Sequence, residues 1–235
     1  MKRSYYTFYR EKKHDHIKIL KIISIILLFA FAMQGIKYFV IDIYSIKTVS
    51  MNPALNSGKR AVVSPLAYGI KNPFSSLAND FIKSPQRGDI VLIISPQISL
   101  ESAGSRFLDQ ALRFFTMQKI SFLYKNSAEW GSPFQFKRVI GLPGETVYIS
   151  AYEAFIGQSG NGNFVSENAL ITKEYDLAEV PAADKKAPLN ADMEAVTLAE
   201  NEYFLLGDNR AFSLDSRTFG PVARNRIIAK YLFSF

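Results

Sequence analysis

The sequence predicts a mostly β domain carried behind one membrane-spanning helix, on three observations. Short runs rich in Val, Ile, Phe and Tyr recur between Gly, Pro and Asn punctuation. One apolar stretch of about 20 residues lies near the N-terminus, long enough at ~1.5 Å per residue to cross ~30 Å of hydrocarbon. No internal repeat organises the rest, so the remaining residues read as one antiparallel-sheet or β-barrel domain with insertions.

In chain order, residues 1–18 form a basic tail. Up to Lys21, the cations Lys2, Arg3, Arg10, Lys12, Lys13, Lys18 and Lys21 outweigh Glu11 and Asp15, which places +5 of the chain's +7 there. The rest is close to neutral, so the basic balance does not point to a nucleic-acid surface. Residues 19–43 follow as the apolar span, with Lys21 and Lys37 near its ends, where long side chains snorkel to headgroups. A basic tail is retained in the cytoplasm, so the domain at 44–235 is expected on the outer side of the membrane. Ala30-Phe31-Ala32 has the small-x-small pattern of a cleaved signal peptide. Hydrophobicity continues past it to Ile43, which favours an uncleaved anchor.

In the domain, strands are expected at residues 60–63, 89–94, 134–140, 146–149, 202–206 and 227–233. Turns are expected at 143–144 (Pro-Gly) and 160–162 (Gly-Asn-Gly). Two insertions interrupt them. In the first, at 99–126, Leu108, Ala111, Leu112, Phe115 and Phe122 share one face of a helix over 106–124, to rest on a membrane surface or to pack on the barrel. The second, at 150–200, is polar with short apolar runs and reads as a surface subdomain or long hairpin.

Composition narrows the chemistry. There is no Cys, and the two His residues, His14 and His16, both lie in the tail. The domain therefore has no Ser-His-Asp triad, no Cys-His pair and no histidine or thiolate metal site. A hydrolase built here needs a carboxylate or a lysine as its base.

Ser50 lies about seven residues beyond the span, within ~25 Å of the bilayer even if the chain is fully extended. Alone, Ser50-Met51-Asn52-Pro53 reads as an ordinary turn. Lys137 sits in a strand-like run that ends at the Gly141-Leu142-Pro143-Gly144 turn. Adjacent strand residues face opposite ways, so Lys137 and Arg138 meet different surroundings, and one arrangement turns Lys137 inward while Arg138 pairs with an acid. A lysine acts as base only when neutral, which means lowering its pKa from ~10.4 towards 7–8, roughly 3–4 kcal/mol. Burial among apolar groups such as Phe136, Val139 and Ile140 supplies that shift. Alone, the dipeptide equally fits a surface Lys-Arg pair, and Gly207-Asp208-Asn209-Arg210 a polar turn.

Taken together, and in this order behind one span, three segments resemble type I signal peptidase, a family of membrane-anchored Ser/Lys endopeptidases. They are Thr48-Val49-Ser50-Met51-Asn52-Pro53, Lys137-Arg138-Val139-Ile140-Gly141-Leu142-Pro143-Gly144-Glu145, and Gly207-Asp208-Asn209-Arg210-Ala211-Phe212-Ser213-Leu214-Asp215-Ser216-Arg217. Arg87-Gly88-Asp89-Ile90-Val91 and Phe219-Gly220-Pro221-Val222 extend the likeness. The resemblance implies Ser50 as nucleophile, Lys137 as general base, and an oxyanion hole from the Ser50 N–H and the Thr48 hydroxyl. It implies that Ser213 orients Lys137, that Asp208 pairs with Arg138 and that Asp215 pairs with Arg217. Ile46, Leu55 and Phe136 fall where the family lines its substrate pockets.

The implied substrate is the signal peptide of an exported preprotein, bound as an extended strand with small residues before the cut. No metal or cofactor and no nucleic acid is implied; the other partner is the lipid bilayer. The implied location is the bacterial cytoplasmic membrane, single-pass, with the catalytic domain outside. Val49 and Lys47 replace a usual glycine and proline, Ala211-Phe212 replaces a pair commonly polar, and Phe136 is bulkier than the expected aliphatic residue. No catalytic group is lost. The rivals are an inactive membrane-anchored barrel and a Ser/Lys self-cleaving regulator. The presence of Ser50 and Lys137 argues against the first, and the span argues against the second.

Overall fold

The computed structural model describes residues 2–68, 83–98, 133–158, 162–171, 175–178 and 191–235, with isolated residues between 104 and 123. The chain opens with a 38-residue helix, α1 (Lys2–Phe39). Its most apolar window, His16–Met33, has a mean hydropathy of 2.1, and none of it is buried against the protein. The helix stops at Phe39, and Asp42 and Ile43, at the end of the expected span, already belong to the first strand.

Eleven strands form two sheets among the described residues. The larger contains β1 (Asp42–Ser45), β2 (Arg60–Ser64), β3 (Ile90–Ile94), β4 (Phe134–Gly141), β9 (Glu202–Leu206), β10 (Val222–Ala223) and β11 (Ile227–Ser234). Its order is β1-β2-β11-β3-β4-β9-β10, every pairing is antiparallel, and it stays open between β1 and β10. Register breaks in β11 and β4 mark bulges, the device that bends strands and curls a sheet towards a barrel.

The larger sheet is buried on both faces, as the apolar runs of its central strands require. Alternation sends Leu92 and Phe136 to one face, where Ile46, Met51, Leu55, Ala61, Val63 and Ala229 complete a cluster. It sends Val91, Ile93 and Val139 to the other, against Tyr68, Tyr203, Leu205, Val222 and Ile227.

All six expected strands form, within a residue or two. The insertion at 150–200 builds a sheet of its own with β5: β5 (Glu145–Ser150), β6 (Glu153–Gln158), β7 (Phe164–Ser166) and β8 (Met193–Thr197), in the order β7-β6-β5-β8. A nine-residue cluster including Ile140, Val147, Ile156, Phe204 and Leu206 binds the two sheets together. β4 runs into β5 through the expected turn, where Gly144 takes φ +81°, a conformation that suits glycine. The helix expected over 106–124 and the turn at 160–162 fall largely outside the described residues.

Candidate active site

Ser50 sits in the turn after β1, held from below by apolar anchors. Met51 and Leu55 are buried in the same cluster as Ile46, and the Leu55 N–H donates to the Met51 carbonyl at 2.8 Å. Lys137 lies in the middle of β4, opposite Val91 of β3. Strand alternation puts its side chain on the face away from Phe136 and Arg138. The Lys137 Nζ donates to Ser213 Oγ at 3.0 Å and lies 3.3 Å from Ser50 Oγ. Thr48 Oγ1 is 3.1 Å from Ser50 Oγ. Ser50, Lys137 and Ser213 are all buried.

Burial pushes the Lys137 amine down to about 8; Asp215 and Asp208 pull it back up, while Arg217 lowers it further. The carboxylates have limited influence because each is already matched. Arg138 grips Asp208 through Nε at 2.7 Å and Nη2 at 2.6 Å. Arg217 grips Asp215 through Nε and Nη2, both at 2.9 Å. None of the described ion pairs includes Lys137. A buried amine with no direct ion partner among the described pairs is disfavoured as ammonium, which is the condition for a lysine base near neutral pH.

The segment from Gly207 to Arg217 frames this pair. Asp215 accepts from the Gly207 N–H at 3.0 Å as well as from Arg217. The Arg217 Nη2 donates to the Arg210 carbonyl at 2.6 Å. The Asn209 N–H donates to the Ser50 carbonyl at 3.1 Å, and Asn209 Nδ2 donates to the Val49 carbonyl at 3.2 Å. Gly207 packs so closely on Ser213 and the Ser50 carbonyl that no Cβ fits there. This glycine is required by close approach and not by its backbone angles.

The structure thus brings Ser50, Lys137, Thr48 and Ser213 together, with the Arg138–Asp208 and Arg217–Asp215 pairs beside them. Ile46, Leu55 and Phe136 also share one cluster, but Leu55 is 0% exposed and Phe136 8%, so they form a floor under the nucleophile's loop more than an open wall. The sequence reading passed over Asn209 and Gly207, which tie the third segment to the nucleophile's loop, and over Arg210. The last is fully buried against Glu167 of the second insertion at 2.6 Å. Only the basic character of Arg210 inside an otherwise polar turn signalled such a role.

Several known proteins resemble this chain in sequence. The signal peptidase family, peptidase S26, matches residues 17–235. Signal peptidase I of Bacillus amyloliquefaciens is 26% identical over 213 residues, covering 90% of this chain and 82% of that protein. Signal peptidase I T of Bacillus subtilis is 26% identical over 227 residues, covering 96% and 88%. A crystal structure of a signal peptidase I from Enterococcus faecalis is 27% identical and covers 63% of this chain and 97% of that one, at a TM-score of 0.36.

Proposed function

Since the chain belongs to the signal peptidase family, peptidase S26, a family of serine peptidases, we propose that it removes N-terminal signal peptides from exported preproteins with a Ser50/Lys137 dyad. The observation that carries the dyad is a buried amine 3.3 Å from a serine hydroxyl, with a pKa pushed down to about 8 and no counter-ion among the described pairs.

In this reading Ser50 Oγ attacks the scissile carbonyl while the neutral Lys137 Nζ takes its proton. The tetrahedral oxyanion is received by the Ser50 N–H and the Thr48 hydroxyl. Such donors contribute about 3 kcal/mol each, because they are already aimed at the developing charge. Collapse breaks the C–N bond, and the Lys137 ammonium returns its proton to the leaving amine. Water, deprotonated by the same amine, then hydrolyses the acyl-Ser50 ester and frees both groups. Ser213 accepts one amine N–H and so turns the lone pair towards Ser50. Arg138–Asp208 and Arg217–Asp215 hold the surrounding backbone while cancelling one another's charge.

The helix α1 supplies the anchor in this proposal. It keeps the basic tail in the cytoplasm and the active site at the outer face of the membrane, where an extended preprotein strand meets it. Ser50→Ala and Lys137→Ala should each abolish cleavage of a preprotein in detergent while leaving the fold intact by circular dichroism. Near-normal cleavage by either variant refutes the dyad.

A further inference from the structure

The four-stranded sheet meets the catalytic segment through a buried polar joint that the dyad chemistry does not use. At its centre Arg210, 1% exposed, donates from every guanidinium nitrogen. Its Nε reaches the Gly207 carbonyl at 3.1 Å, its Nη1 the Tyr152 carbonyl at 2.7 Å and its Nη2 Glu167 Oε2 at 2.6 Å. Gly207 belongs to the catalytic segment, whereas Tyr152 and Glu167 belong to the second sheet and its short helix. Glu167 is 0% exposed, and its two oxygens also accept from the Ala154 N–H at 3.3 Å and the Tyr175 hydroxyl at 2.8 Å. The Tyr175 ring lies under the Arg138 guanidinium, 3.9 Å from Cζ to the ring centroid. The Ala178 N–H closes the circuit on the Asp208 carbonyl at 3.2 Å.

Two features indicate that this joint is tuned and not merely filled. Ala151 and Tyr152 form the two-residue turn between β5 and β6 at φ +48° and +69°, a left-handed conformation that costs a non-glycine residue energy. The Tyr152 carbonyl of that strained turn is the one Arg210 holds. On the other side Arg210 holds Gly207, whose Cα surface touches both Ser213 and the Ser50 carbonyl. A shift of Arg210 is therefore passed through one tightly packed glycine towards both partners of the Lys137 amine, to Ser213 directly and to Ser50 through its carbonyl.

We propose that Glu167 and Arg210 are positioning residues for peptide cleavage: through them the second sheet sets the placement of Gly207, and so the Ser50–Lys137–Ser213 geometry. The inference rests on the dyad reading above. A joint that only cements two sheets affects stability alone, whereas a positioning joint also affects turnover, because reacting groups misplaced by a fraction of an ångström lose rate steeply.

The test is preprotein cleavage by the full chain in detergent, alongside thermal melting, for Glu167→Met with Arg210→Met and for Tyr175→Phe. The double variant removes both buried charges, an exchange that is often neutral for stability. It is expected to fold with a lowered melting temperature, since the Gly207 and Tyr152 carbonyls lose their donor, and with kcat lowered at least about tenfold and KM unchanged. The acid limb of its kcat/KM profile should move to higher pH, as water reaches Lys137 in its setting of Asp208, Asp215, Arg217, Ser50 and Ser213. Tyr175→Phe deletes only the hydroxyl that Glu167 accepts, and should lower kcat in the same sense by a smaller factor. It decides the matter if the double variant does not fold. Wild-type kcat and an unmoved acid limb in a folded variant overturn the proposal. Ser50→Ala and Lys137→Ala run beside them: if those remain active the dyad reading fails, and if they are dead while the joint variants are normal only this inference fails.

Discussion

Replacing Lys137 by Met should stabilise the protein near neutral pH, by an amount that fades as pH rises. The amine's pKa is about 8 in the fold against 10.5 when free. The unfolded chain therefore binds the proton more tightly, and the folded state is penalised below pH 8. Full protonation in the fold costs roughly 3 kcal/mol, at 1.36 kcal/mol for each pH unit between the two values. By the same linkage the penalty is about 2 kcal/mol at pH 9 and below about 1 kcal/mol at pH 10. Above 10.5 both states are neutral and it vanishes. Methionine carries no proton, and its packing difference from lysine does not depend on pH. The gap between variant and wild type should thus shrink by roughly 2–3 kcal/mol from pH 7 to pH 10, whatever its absolute size. Denaturant unfolding of both proteins in detergent at several pH values measures it. A gap constant with pH would mean that the amine is not depressed, and the argument for a lysine base would go with it.

Three further outcomes follow from the geometry. The kcat/KM of the wild type should rise about tenfold per pH unit below pH ~8 and level off above it, since only the neutral amine accepts the Ser50 proton; a profile flat from pH 6 to pH 9 contradicts this. Thr48→Val, which removes the hydroxyl 3.1 Å from Ser50 Oγ, should lower kcat by about 10²–10³ without unfolding the domain, whereas Thr48→Ser should retain most activity. Gly207→Ala puts a Cβ 2.5 Å from the Ser50 carbonyl and closer still to Ser213. It should cost about 1–3 kcal/mol in melting experiments along with most of the activity, and wild-type stability would show that the segment can yield.

What could be read in the sequence was what depends on near neighbours or on a recognisable pattern. The runs that became β2, β3, β4, β5, β9 and β11 are long enough and apolar enough to announce themselves. The proximity of Ser50, Lys137 and Ser213 followed only from the ordered set of segments, because no local signal joins residues 87 and 76 positions apart. Four of the five strands that went unread had physical reasons to be silent; for the fifth, β8, the structure offers none. β10 is two residues long and β7 three, too short for any periodicity. β6 follows a turn made by Ala151 and Tyr152, where the usual glycine or asparagine is missing, so the hairpin carried no punctuation. β1 was hidden within the end of the apolar span, since Asp42–Ser45 continues a hydrophobic stretch. The Glu167–Arg210 pair spans 43 residues and depends on the second sheet folding back, which composition does not encode.

The alternation of β4 gives adjacent cations opposite fates, and this makes the protein sensitive to chain length in a way that side-chain identity does not reveal. A slip of one residue in that strand's pairing would carry Arg138 to the serine and send Lys137 to Asp208. A guanidinium stays charged at any accessible pH, so every reactive group would survive while proton transfer stopped. Gly141, wedged with no room for a Cβ against Val147, Leu198 and Phe204, sits just past the bulge that fixes that pairing. Inserting or deleting a single residue between Phe134 and Gly141 would therefore exchange a proton acceptor for a fixed cation.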